Sequence, residues 1–128
     1  MASEAGRGLA AVLGIEPGAR VALVDAPAGF VDTLGALPGD VALVSPSDPP
    51  LDVVLQFEFH ASTLADRLGT LARAVRAGGA LWVCWPRPGG GLPTDLSEQT
   101  VCQTLLAQGF TCGEAIALPG GWDGVRAG

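Results

Sequence analysis

The sequence has no lysine and no tyrosine, a single histidine, three cysteines and few aromatic residues. Each shortage removes a class of function. All seven basic residues are arginine, and thirteen acidic ones leave a net charge of −6. Nucleic-acid binding depends on clustered Lys and Arg neutralising phosphates, so this balance argues against a nucleic-acid partner. Only Arg67, Arg73 and Arg76 fall close together, and they read as the solvated face of a helix. The abundance of alanine and glycine beside an arginine-only basic set points to a GC-rich bacterial genome. One histidine and no C-x-x-C pair leave a conventional zinc site undersupplied. Cys84, Cys102 and Cys112 are odd in number; Cys84 in a strand and Cys102 in a helix lie in apolar surroundings, and the thiols read as reduced and buried in a cytosolic protein. The N-terminal MASEAGRGLAAVLGI is too short and too broken by glycine for a signal peptide or a membrane span. A cytoplasmic protein with no membrane partner is the expectation.

What is present is aliphatic, and it is organised. At 128 residues the chain fits one α/β domain covering 1–128 without metal or disulfide staples. Its most informative block is LDVVLQFEFHASTLADRLGTLARAVRAGGALWVCWPRP, which reads as strand, amphipathic helix and strand, one parallel β-α-β unit. Leu64, Leu68, Leu71 and Val75 form the apolar stripe of the helix. Ser62 or Thr63 is placed to cap it, and Gly78-Gly79 to end it. Before this block, Val21–Val24 is an apolar run without polar alternation, as in parallel strands buried on both faces, and Val41–Val44 is the second strand. A helix over Ser3–Leu13 precedes them, and a short crossover, helical around Gly29–Leu37, joins them. After the block, Thr94 or Asp95 begins another helix, with Glu98 completing a capping box. A terminal hairpin pairs Cys112–Leu118 with Trp122–Arg126. The sum is a three-layer, mainly parallel sheet in the order 2-1-3-4, with the antiparallel hairpin on the far edge.

In a doubly wound sheet, ligands bind beyond the carboxyl ends of the strands. Four segments meet on that rim: the turn from Asp25 to Phe30, Ser45–Asp48, Glu58–His60 and Trp85–Arg87. Asp25, Pro27 and Gly29 occupy the place of a nucleotide-binding turn, and Glu58 faces them as a further candidate for holding a cofactor. A working turn of this kind needs closely spaced glycines, and here Gly29 stands alone while Pro27 has no N–H to donate. Glu58 and His60, two apart, could share a side and do acid–base work, but no nucleophile motif joins them. No catalytic residue, cofactor or metal is therefore assigned. His60, Trp85 and Arg87 are the candidate interaction surface, with Trp85 as an exposed contact beside a glycine-rich loop.

From Leu51 onward, LDVVLQFEF, the helix, LARAVRAGGALWVCWP and LLAQGFTCGEAIALPGGWDGVRAG resemble the C-terminal half of class I S-adenosylmethionine-dependent methyltransferases. The segments LGIEPGARVALVDAPAGF, GGALWVCWPRPGGGLPTDLSEQTV and GWDGVR also resemble a family of small bacterial proteins that carries no established activity. The first resemblance implies a truncated Rossmann-like, methyltransferase-like fold. Between the first strand and LDVVLQFEF there is room for one strand where the enzymes have two. The acidic Gly-x-Gly turn that would cradle the methionine moiety is missing, and Ser45-Pro46 replaces the acidic residue that would hold the ribose. The functional expectation is a non-catalytic interaction or regulatory domain, acting on a protein partner or by self-association. The alternative is a protein that binds S-adenosylmethionine or a nucleotide, or a methyltransferase-like enzyme.

Overall fold

The computed structural model describes residues 12–33, 39–87, 93–118 and 121–127. Among them the strands are β1 (Arg20–Val24), β2 (Ala42–Leu43), β3 (Leu51–Phe57), β4 (Val75–Pro86), β5 (Ile116–Leu118) and β6 (Trp122–Ala127). The helices are α1 (Phe30–Thr33), α2 (Ala61–Ala74) and α3 (Glu98–Ala107). One sheet runs β2-β1-β3-β4-β6-β5, with β2, β1, β3 and β4 parallel and β6 antiparallel to both of its neighbours. This is the expected order, including the hairpin at the far edge. Of the first expected helix only Val12 and Leu13 are among the described residues, and residues 34–38 of the crossover before β2 lie outside them.

The apolar runs of β1, β3 and β4 bury both faces of these central strands, whereas β2 is exposed at Ala42 and Leu43. Val54, Leu81, Val83 and Trp85 pack under Leu64, Leu68 and Leu71 of α2 and Val101 and Leu105 of α3. On the other face Val53, Leu55, Phe57, Trp82 and Cys84 pack with Leu13, Ile15, Phe30 and Trp122. Phe57 sits edge-on to both Phe30 and Trp122, with ring centroids 4.7 and 5.1 Å away, a favoured aromatic geometry.

Four local expectations are corrected. Helix α2 stops at Ala74 and its C-cap Val75 is already extended, so the Gly78-Gly79 pair lies within β4 rather than at the helix end. There Arg76–Gly79 bulge outward, and the β3–β4 register shifts between Leu51 and Val53. Ser62 and Thr63 do not cap α2. Its N-cap is His60, and the Ala61 N–H donates to the Asp95 carboxylate at 2.9 Å. Ser97 rather than Thr94 or Asp95 caps α3, accepting from Thr100 N–H. Cys102 and Cys112 form a disulfide, Cα atoms 5.4 Å apart, leaving Cys84 as the free thiol among the described residues. The turn at Gly109 (φ 88°) reverses the chain, and a bridge from Cys112 to Ala127 holds Cys112 beside α3. The thiol argument for a reducing compartment is thereby lost.

Candidate functional site

The carboxyl ends of β1 and β3 lie side by side, because Val24 pairs with Gln56 in a parallel register. That pairing brings together Asp25, just past β1, and Glu58, just past β3. Asp25 is exposed and holds a left-handed backbone (φ 58°), a conformation that asparagine, aspartate and glycine tolerate best. Glu58 is 2% exposed. A carboxylate that deep requires a partner, and Arg67 supplies it. From α2 its guanidinium donates to Glu58 Oε2 through Nε (3.0 Å) and to Asp25 Oδ2 through Nη1 (2.8 Å), with Nη2 2.8 Å from the same Glu58 oxygen. Burial works against the charged guanidinium, but the bonds to Asp25 and Glu58 outweigh it and hold the Arg67 pKa above its usual value.

Arg67 thus latches the two strand ends together across the rim. The helix pattern held the signal for it. Leu64, Arg67, Leu68 and Leu71 stand at i, i+3, i+4 and i+7, so Arg67 occupies a core position of the apolar stripe and not the solvated face. Gln56 extends the network inward, its Nε2 donating to Glu58 Oε2 at 2.6 Å. Among the described residues, Gln56 Oε1 and Trp85 Nε1 are buried without a hydrogen-bond partner.

The other candidates are placed as follows. Pro27 is half-buried and its carbonyl accepts from Phe30 N–H (3.1 Å), while Gly29 is exposed with φ 80°. Phe30, the first residue of α1, is 3% exposed and turns its ring under this rim against Phe57. His60 does not join Glu58. Its side chain is 63% exposed, with Nδ1 3.6 Å from Asp95 Oδ2. Arg87 binds inward through Asp123 (3.0 Å) and the carbonyls of Leu118 and Trp122, tying the end of β4 to the hairpin. Trp85 is corrected from exposed contact to core, being 1% exposed beneath α2 and α3, because its place in β4 alternates onto the helix-covered face. Phe59, at 36%, is the large apolar side chain that this rim exposes among the described residues.

Cavities lie at the opposite, amino-terminal rim. One of about 190 Å³ and another of about 200 Å³ share Gly14, Glu16, Asp52 and Arg76. Asp52 is committed to structure there: it accepts from the Arg20 backbone N–H at 2.8 Å and pairs with Arg76. The Arg20 N–H, then Arg76, holds its carboxyl below the ordinary range. No His, Cys, Asp and Glu grouping suited to a metal occurs among the described residues, and no helix there is long and apolar enough to cross a membrane.

No protein-family model and no curated protein matches the sequence, so the resemblance to a family of small bacterial proteins gains no support. Solved structures do match. A SAM-dependent methyltransferase from Aquifex aeolicus superposes with a TM-score of 0.71 at 16% identity, over 95% of this chain and 88% of that one. DhpI in complex with SAH gives 0.63 at 13% identity, over 100% and 85%. Fibrillarin from Aeropyrum pernix with natively bound S-adenosyl-L-methionine gives 0.61 at 11% identity, over 95% and 74%. The structure is that of a truncated class I methyltransferase-like fold.

Proposed function

We propose that the chain is a non-catalytic interaction or regulatory domain of a cytoplasmic bacterial protein, built on this methyltransferase-like fold. The observation that carries the reading is Arg67, whose guanidinium takes up both rim carboxylates, Asp25 and Glu58. A ligand that needed those carboxylates would have to displace three charge-assisted contacts, two of them to the buried Glu58 Oε2. Phe30 and Phe57 occupy the ground beneath, and the Asp25–Gly29 turn offers one glycine and a proline where close backbone approach to a cofactor would be made. The surface left for a protein partner or a second copy is the outer rim around His60 and Arg87, over the buried Trp85.

Melting curves with millimolar S-adenosylmethionine, its demethylated product and common nucleotides test the first half of this reading. A ligand at a hundred times its Kd raises stability by about 2.7 kcal/mol, so binding would be plain. The expected result is no shift with any of them; a saturable rise with one would overturn it. The second half fails if light scattering gives a strict monomer and no protein is captured through the His60 and Arg87 surface.

A second reading, binding of S-adenosylmethionine or a nucleotide at Asp25, Pro27, Gly29 and Glu58, is favoured by the unused buried donor and acceptor of Trp85 and Gln56. Asp25→Ala separates the two readings. It abolishes ligand stabilisation under the second and leaves partner binding intact under the first.

A further inference from the structure

The amino-terminal rim carries a second constellation, independent of the latch. The two cavities that share Gly14, Glu16, Asp52 and Arg76 form one trough, and the second extends it to Gly78, Gly79 and Arg126. Asp52 and Arg76 neutralise each other within it. Glu16 and Arg126 do not: among the described residues neither carboxylate nor guanidinium has a charged partner, and the Arg126 side chain makes one hydrogen bond, to the Gly79 carbonyl (3.2 Å). The trough is charge-balanced overall, yet it keeps one open carboxylate and one open guanidinium. A simple anion meets Arg126 but is repelled by Glu16; a simple cation meets Glu16 but is repelled by Arg126. A molecule that carries both charges satisfies both groups. Glycine walls let such a molecule approach the backbone closely, as at Gly18, where a Cβ would meet nothing within 4 Å.

We propose that this trough binds a small zwitterion of the α-amino-acid class, its ammonium at Glu16 and its carboxylate at Arg126. Arg76, held by Asp52, supplies a further N–H edge to the carboxylate end.

The experiment titrates the ¹⁵N-labelled full chain with L-alanine, and separately with acetate and methylammonium, the two halves of its charge. Alanine is expected to give one saturable site with shifts at the amides of Gly14, Gly18, Gly78 and Gly79. Each half-molecule should bind at least tenfold more weakly. Glu16→Gln and Arg126→Gln, both at exposed side chains, should each weaken alanine binding at least tenfold while the spectrum elsewhere stays that of the folded chain. Acetate binding as tightly as alanine would overturn the proposal in favour of a plain anion patch. Absence of saturation at tens of millimolar alanine, or unchanged affinity in both variants, would overturn it outright.

Discussion

Arg67 does the most that any single residue does at the rim. It has a buried carboxylate on one side and an exposed one on the other, and the two are unequal partners. Asp25 is 68% exposed, so its pair with Arg67 is screened and adds little. Glu58 is enclosed, and stripping it of its cation strands a charge. Arg67→Ala should therefore destabilise by about 3 kcal/mol, the low end for breaking a buried pair, since the Arg67 side chain keeps 31% of its surface in water. Urea unfolding measures this, and adding Glu58→Gln to Arg67→Ala should restore part of the loss by removing the stranded charge. A loss below about 1 kcal/mol would mean that the pair behaves as a surface bridge. Arg67 could have been found from the sequence alone, because it falls on the apolar stripe at i+3 from Leu64. Trp85 lies inward, against the sequence expectation, for the converse reason. Its position before Pro86 suggested a strand end, but β4 stays covered by α2 and α3 through Pro86, and alternation turns the indole inward.

At the scale of elements, β-α-β order, strand identity and the terminal hairpin were legible, because apolar runs bounded by Gly and Pro clusters leave few other arrangements. Element ends were not. His60, Asp95 and Ser97 took the capping roles that nearer Ser, Thr and Asp residues suggested for themselves, since Asp95 reaches α2 from a loop thirty-four residues away, a contact no local pattern encodes. The Arg76–Gly79 bulge is a similar case, a tertiary solution that fits β4 against β3. Gly79 is essential to it: a Cβ there would lie 2.6 Å from both the Asp52 carbonyl and Val75 Cγ1. Gly79→Ala should cost about 1–3 kcal/mol from overpacking. Gly18→Ala, in open space at φ 78°, should cost only about 1 kcal/mol from its left-handed backbone. Paired thermal melts rank them, and an equal or reversed order would contradict the bulge as described. The Cys102–Cys112 link escaped the sequence reading for the same tertiary reason, as it depends on the chain reversal at Gly109.

At the scale of the whole molecule, the sheet β2-β1-β3-β4-β6-β5 is methyltransferase-like, and the turn after β1 carries Asp25, Pro27 and Gly29. A fold does not by itself carry a chemistry, so the rim residues are what decide it. The rim residues, and the place of Arg67 on the apolar stripe, are legible in the sequence one by one; that Arg67 reaches both Asp25 and Glu58 is a tertiary fact that no local pattern encodes. The account's central claim is that Arg67 keeps this rim closed. The most direct measurement follows the Arg67 Nε–H signal of ¹⁵N-labelled protein while S-adenosylmethionine is added to millimolar concentration. A guanidinium held against a buried carboxylate should give a resolved, slowly exchanging signal that the cofactor does not move. A signal that shifts saturably, or is lost as the cofactor binds, would show that the latch opens for it and would contradict the account.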